Sequence, residues 1–184
     1  LVWDERKLYE DKVCPGEFED YCHKKLIFRN RGINVFGSYD ANQIFVNDIF
    51  NVVVLKSSYQ KERINKFSNE DIKLSKRFSL KYLLSIINSR LIYFYLENKF
   101  VFRDIKAPMM RIFPIKQISP EQQKPFINIV NQILSITKSD DYLDNPDKQA
   151  KVKRLEKEID KLVYKLYDLT TGEIKLIEVV NDGK

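Results

Sequence analysis

Residues 152–169 read Val152-Lys153-Arg154-Leu155-Glu156-Lys157-Glu158-Ile159-Asp160-Lys161-Leu162-Val163-Tyr164-Lys165-Leu166-Tyr167-Asp168-Leu169. Val152, Leu155, Ile159, Leu162, Leu166 and Leu169 recur at alternating intervals of three and four, the a/d spacing of a coiled-coil seam, with charged residues between them. A helix this short is marginal alone in water, so its apolar face needs a partner. The partner stands immediately upstream. Ser119, with Pro120 next and Gln122 three residues on, is a capped helix start with proline at its first position. Phe126, Val130, Ile133 and Leu134 give that helix an apolar face. The polar stretch Ser139 to Asp147, rich in Asp and containing Asn145-Pro146, ends one helix and opens the next. Residues 119–184 are therefore expected to form an antiparallel helical hairpin.

Upstream the pattern is different. Lys25-Leu26-Ile27-Phe28-Arg29 reads as a strand. Gly37 to Asn42 reads as a hairpin connection entered from Val35-Phe36 and left through Gln43-Ile44-Phe45-Val46. Asn51-Val52-Val53-Val54-Leu55 is a β-branched run of the kind buried on both faces of a sheet. After Ser79, a residue suited to capping, Leu80, Leu83, Leu84, Ile87, Leu91, Phe94 and Tyr95 recur at helical spacing and predict a core helix. Residues 99–118 revert to an irregular or extended path, since Pro108 and Pro114 exclude a long helix. The expected fold class is α+β: a small mixed β-sheet domain with a core helix over residues 1–118, then the helical hairpin of residues 119–184.

The chain has 184 residues, 43% of them apolar and 32% charged, with 5 Gly and 6 Pro, which excludes collagen-like, low-complexity and wholly disordered classes. Cys14 and Cys22 cannot make a disulfide framework, and Leu1-Val2-Trp3 runs directly into Asp4, Glu5, Arg6 and Lys7 without the pattern of a secretory signal. The stretch Tyr82 to Leu96 is interrupted by Ser85, Asn88, Ser89 and Arg90, so no spanning helix is expected. A cytoplasmic location follows as the expectation. The first residue is Leu and the methionines are Met109 and Met110, so a fragment of a longer polypeptide is expected.

Net charge is +6, and its distribution is uneven. Residues 61–120 carry 13 basic and 5 acidic side chains, while the rest of the chain is close to balanced. Such an excess suits a polyanion such as DNA, whose condensed counterions are released when lysines and arginines neutralise phosphates. Arg29, Asn30, Arg31, Asn34, Tyr39, Asn42 and Gln43 cluster about the expected turns, and amide and guanidinium groups are the ones that read base edges bidentately. Lys99, Arg103, Lys106 and Arg111 follow beside Phe100 and Phe102, on a stretch suited to phosphate contact.

Catalytic signatures are missing. There is no phosphate-binding glycine loop, no nucleophile elbow and no H-E-x-x-H, and His23 is the only histidine. Cys14, Cys22 and His23 have no zinc-module spacing and no evident fourth ligand, so no metal site is expected. Pro146-Asp147 and Glu173-Ile174-Lys175 spell a metal-dependent nuclease pattern. A helix length separates the two carboxylates, which speaks against it.

The run Ile159 to Thr170, followed by Glu173-Ile174 and Ile177-Glu178, resembles the tail of the TaqI-like C-terminal specificity domain of bacterial restriction-modification methyltransferases. Leu83-Leu84-Ser85-Ile86-Ile87-Asn88-Ser89-Arg90-Leu91 is similar to that domain's leucine-rich helix ending in Asn-Ser. Phe113-Pro114-Ile115 followed by Gln122 resembles its entry to the helical part, and Lys25 to Arg29 with Tyr39-Asp40 its first strands. The resemblance implies a target-recognition domain from a type IIG-like, phage-defence adenine methyltransferase, similar to half of a type I specificity subunit. Double-stranded DNA would be its partner. S-adenosylmethionine would be bound by an upstream catalytic domain of the same polypeptide, not by this chain. The family's (Asn/Asp)-Pro-Pro-Tyr methylation motif is missing, since Asn145-Pro146 is followed by Asp147, so the chain itself is expected to be non-catalytic. The competing expectation is an assembly module that docks or self-associates through Val152, Leu155, Ile159, Leu162 and Leu166 with no direct DNA role.

Overall fold

The computed structural model describes residues 18–29, 36–46, 49–99, 107–110 and 112–182. The fold is α+β, as the sequence suggests. By packing it divides into two units, one formed from residues 1–80 and 102–112, the other from 81–101 and 113–184. Composition and period, by contrast, suggest a boundary at 118/119. No helix among the described residues is long and apolar enough to cross a membrane.

The first unit begins with helix α1 (Phe18–Cys22) and a three-stranded sheet: β1 (Lys25–Arg29), β2 (Gly37–Asp40) and β3 (Phe50–Val53), in the order β2-β1-β3. Both pairings are antiparallel, so the mixed sheet expected from sequence is an antiparallel one. The central strand is β1, where Leu26 and Phe28 on one face are fully buried. Two expectations fail here. Gly37-Ser38-Tyr39-Asp40 is strand β2 and not a turn, while Gln43 to Val46 is without regular structure. The β-branched run supplies an edge strand, half-buried throughout, because β1 already occupies the middle.

Pairing explains why a glycine-led tetrapeptide can be a strand. Gly37 lies opposite Phe28, and a Cβ built on Gly37 would sit 1.9 Å from the Phe28 ring. The ring therefore covers a bare backbone. Gly37→Ala is expected to destabilise the first unit by about 1–3 kcal/mol through forced displacement of a buried ring, read as a lowered midpoint in urea. A midpoint equal to that of the unsubstituted chain would show the strand moving aside freely. After β3 come a 3-10 turn (Lys56–Ser58), α2 (Lys61–Ile64) and α3 (Asn69–Ser75), and, with α4 (Leu80–Ile87) and α5 (Arg90–Lys99) in between, the short α6 (Ala107–Met110).

The single core helix expected after Ser79 is two helices, α4 (Leu80–Ile87) and α5 (Arg90–Lys99). The break falls at Asn88-Ser89. The Ser89 hydroxyl donates back to the Ile86 carbonyl at 2.6 Å and also accepts from the Ile92 amide at 3.4 Å, so it ends one helix and starts the next. In the second unit α7 (Pro120–Thr137) opens with the expected capping box between Ser119 and Gln122 and proline at its first turn. It buries Phe126, Ile129 and Val130, packs along α8 (Pro146–Leu166), and is linked to it by residues 138–145, which include a 3-10 turn. Val152, Leu155 and Ile159 are buried as expected, but towards the end of α8 Val163 is fully buried while Leu162 and Leu166 are only half-buried. A helix of 3.6 residues per turn drifts off a strict 3.5 repeat, and over this length the buried stripe moves by one residue.

Leu169 is not part of the seam. The helix stops at Leu166, Asp168 takes a left-handed φ of 57°, and the Leu169 amide reaches back to the Tyr164 carbonyl at 3.0 Å. Helix α9 (Thr171–Asp182) follows, started by a reciprocal cap in which Glu173 accepts from the Thr170 amide at 2.7 Å and the Glu173 amide donates to the Thr170 hydroxyl at 3.3 Å.

Candidate nucleic-acid interface

The sequence-predicted contact residues fall into two groups. Asn30, Arg31, Asn34, Arg103, Lys106 and Arg111 lie outside the described residues. Arg29, Tyr39, Asn42, Gln43 and Lys99 are described. Arg29 is exposed at the end of β1, opposite Phe50 on the edge strand. Lys99 belongs to the second unit, where its ammonium donates to the Tyr95 hydroxyl at 2.7 Å and stands over that ring.

The other three surround one structure in the first unit. Lys25 and Asp40 lie directly across the β1/β2 ladder from each other, and both are buried, Lys25 completely. Their side chains form a short ion pair, and the Lys25 ammonium also donates to the Tyr21 carbonyl at 3.1 Å. The Asp40 carboxylate has further partners: it accepts the Asn42 amide at 2.7 Å and the Ile44 amide at 2.9 Å. Burial pushes Asp40 upwards, but the Lys25 bond and these two amides outweigh it and hold the carboxyl below the usual range. Burial, then the adjacent Asp40 charge, raises the Tyr39 phenol.

Segment 41–46 therefore hangs from a buried carboxylate. Its second fastening is α1. Gln43, held at a left-handed φ of 58°, donates its side-chain amide to the Cys22 carbonyl at 3.2 Å, and the Phe45 ring stacks on Tyr21 with centroids 4.7 Å apart. Residues 41–44 are all exposed, Asn42 and Ile44 among them, the latter 51% exposed, with Phe36 65% exposed at the entry to β2. Gln43 is thus a fastener of the loop. An amide side chain and an aliphatic one on a fixed backbone can meet a base edge and a thymine methyl.

The other side of α1 holds the following segment. Asp20 accepts from the Tyr59 hydroxyl and, at 2.6 Å, from Arg63, whose guanidinium stacks 4.5 Å from the Tyr59 ring centroid. Burial and then the Asp20 carboxylate carry the Tyr59 phenol far above its ordinary value, so it stays a donor. His23 lies edge-on to Tyr59, with its Nε2 3.5 Å from Glu19. Cys14 lies outside the described residues, and among the described ones no three His, Cys, Asp or Glu side chains could hold a metal ion.

The charge excess that the sequence places in residues 61–120 divides between the two units. Among the described residues, Lys66, Lys73, Lys76 and Arg77 are exposed in the first unit. In the second unit the cations of the same stretch face internal partners: Lys81 bonds Asn131, Arg90 bonds Glu178 at 2.7 Å, and Lys116 bonds Asp168 at 2.9 Å.

The nuclease pattern gains nothing from the fold. Asp147 starts α8, Glu173 starts α9, and the 21 residues of α8 span about 30 Å. Glu173 is held below the usual carboxylate range by the Thr170 amide and hydroxyl. The apolar stripe of α8, the expected docking surface of an assembly module, lies against α7. No protein-family model matches the chain, and no curated protein matches it.

Proposed function

We propose that this chain is the DNA-recognition part of a cytoplasmic, adenine-specific restriction-modification methyltransferase. It selects the target sequence, while a separate upstream domain supplies S-adenosylmethionine and the transfer. The observation that carries the reading is the loop 41–46, whose backbone is fixed by Asp40 and whose Asn42 and Ile44 side chains face outward. Affinity alone needs only loose cations. Discrimination needs groups held in place before the duplex arrives, because ordering them on contact subtracts from the difference between right and wrong sites.

Selection of a randomised 20-base-pair duplex pool on the 184-residue chain tests this. Enrichment of a short consensus is expected, with Asn42→Ala relaxing one position of it by about 1–3 kcal/mol. A pool that stays random after repeated rounds at 150 mM salt would remove the reading.

A further inference from the structure

Loop 41–46 carries no charged side chain, so it can select a sequence but cannot pull on a phosphate backbone. Affinity has to come from cations elsewhere, and the second unit holds a row of them. Residues 121–184 carry 11 basic and 12 acidic side chains, so counting along the chain finds no excess there. Helix α8 sorts them. At about 100° per residue, Arg154, Lys157, Lys161 and Lys165 fall within an arc of about 80° and along about 16 Å of the axis. All four are exposed, and they lie opposite the buried Val152, Ile159 and Val163.

Three of the four acids of α8 have other neighbours. Asp147 stands in the first turn, where the helix dipole favours it. Glu156 lies on a different side of the helix, next to the positive charges of Lys153 and Arg90, and Asp160 is buried against the Arg90 amide. Glu158 is exposed and borders the row, yet among the described residues none of the four cations forms an ion pair with it or with any other acid.

The arrangement is unfavourable in the free chain. Lys157, Lys161 and Lys165 are successive i, i+4 neighbours, and like charges at that spacing repel. The helix dipole accounts for Lys165 in the last turn but not for the others. An anion laid along the row removes the repulsion. Exposed apolar side chains on α8 are confined to Pro146 and Ala150 near its start, so the row lacks the aromatic or aliphatic anchor that holds a protein partner. Long cations without such an anchor suit a line of phosphates.

We propose that Arg154, Lys157, Lys161 and Lys165 on α8 hold the phosphate backbone of duplex DNA. This rests on the DNA-recognition reading above and adds the affinity that loop 41–46 lacks. The row positions a strand and selects no base.

Fluorescence anisotropy with a labelled 20-base-pair DNA duplex, titrated with the full chain at 50 to 200 mM salt, tests it. Each phosphate contact adds about 0.9 to the slope of log affinity against log salt. The variant Lys157→Gln, Lys161→Gln, Lys165→Gln is expected to lower the slope by about 2.7, which shrinks the affinity lost across this range about 40-fold, and Lys161→Gln alone should lower it by about 0.9. The urea midpoint of the triple variant without DNA should not fall, since glutamine matches lysine as a helix former and the repulsion is gone. The control Lys124→Gln, Lys138→Gln, Lys175→Gln removes equal charge from other exposed positions of the unit and should leave the slope unchanged. If the α8 variant keeps the full slope, or the control lowers it equally, the row is overturned while the DNA-recognition reading stands. Tighter binding of a duplex RNA of equal length would overturn DNA as the partner. If the α8 variant behaves as expected but the randomised pool yields no consensus, the row stands and the sequence-selecting reading falls. A chain that binds no duplex at all would end both.

Discussion

Lys25→Met is expected to lose about 3–5 kcal/mol of the first unit's stability, the usual cost of removing one member of a buried ion pair. Lys25 is fully buried and Asp40 is 3% exposed, so water cannot replace the missing ammonium. The stranded carboxylate also holds the Asn42 and Ile44 amides, so loop 41–46 should loosen with it. Hydrogen exchange at the β1 amides measures the first effect and exchange at Asn42 and Ile44 the second. The double variant Lys25→Met, Asp40→Asn should recover part of the loss, because no charge remains in the interior, but not all of it, because the Asn42 and Ile44 amides bind different oxygens of Asp40 and one amide oxygen replaces only one of them. The pH dependence has a definite sign. Asp40 is held below its unfolded value, so its contribution is present above that value and disappears as pH falls through the depressed one. Lys25→Met should lose this acid limb. Protection at β1 within about 0.5 kcal/mol of the unsubstituted chain, at the limit set for ordinary surface changes, would mean that the pair is incidental to the sheet.

How far the sequence reveals such features depends on how local their causes are. Ser119 with Pro120 and Gln122 specifies a helix start within four residues, and the structure places the cap there. β1 and the two long helices are legible for the same reason, since periods of 2 and 3.6 need no knowledge of neighbours. Gly37 to Asp40 looks like a turn because glycine and aspartate favour turns, but the Phe28 ring opposite makes it a strand, and that ring is a tertiary partner. The Val52-Val53-Val54 run likewise suggests a central strand, and only the order β2-β1-β3 puts it at an edge. At the candidate site, amide-bearing Asn42 and Gln43 are visible as a polar loop. Its anchor is not, because a lysine and an aspartate 15 residues apart look solvated until the register sets them opposite each other. Charge can be counted along a chain, whereas which cations are consumed by internal partners, as Arg90 and Lys116 are, is decided by packing.

Asp160 should make the second unit more stable at pH 4 than at pH 8. It projects from the buried side of α8, is 7% exposed, and accepts the Arg90 amide at the start of α5 at 2.9 Å. Burial, reinforced by the negative charges of Glu178 and Glu156, raises its carboxyl to about 6 against the pull of Arg90, whose guanidinium lies 3.6 Å away and is shared with Glu178. The folded unit therefore binds this proton more tightly than the unfolded chain, whose carboxyl titrates near 3.9. Stability is full below that value and falls as pH rises through about 6. A gap of about 2 units corresponds to about 3 kcal/mol. Asp160→Asn keeps an acceptor for the Arg90 amide without the charge, so it should flatten the profile between pH 4 and 7 and raise the urea midpoint at pH 8. Asp160→Leu should flatten the profile too, but lie about 1–3 kcal/mol below that of Asp160→Asn throughout, because the Arg90 amide at the helix start is left without its acceptor. Tyr164 separates this from a general loosening: its hydroxyl donates to Glu178 at 2.7 Å and does not depend on Asp160 ionising, so Tyr164→Phe should shift the whole profile without changing its shape. Retention of the full pH dependence by Asp160→Asn would place the titrating group elsewhere in the unit, and the Arg90, Asp160 and Glu178 junction would then be a static brace between α5, α8 and α9.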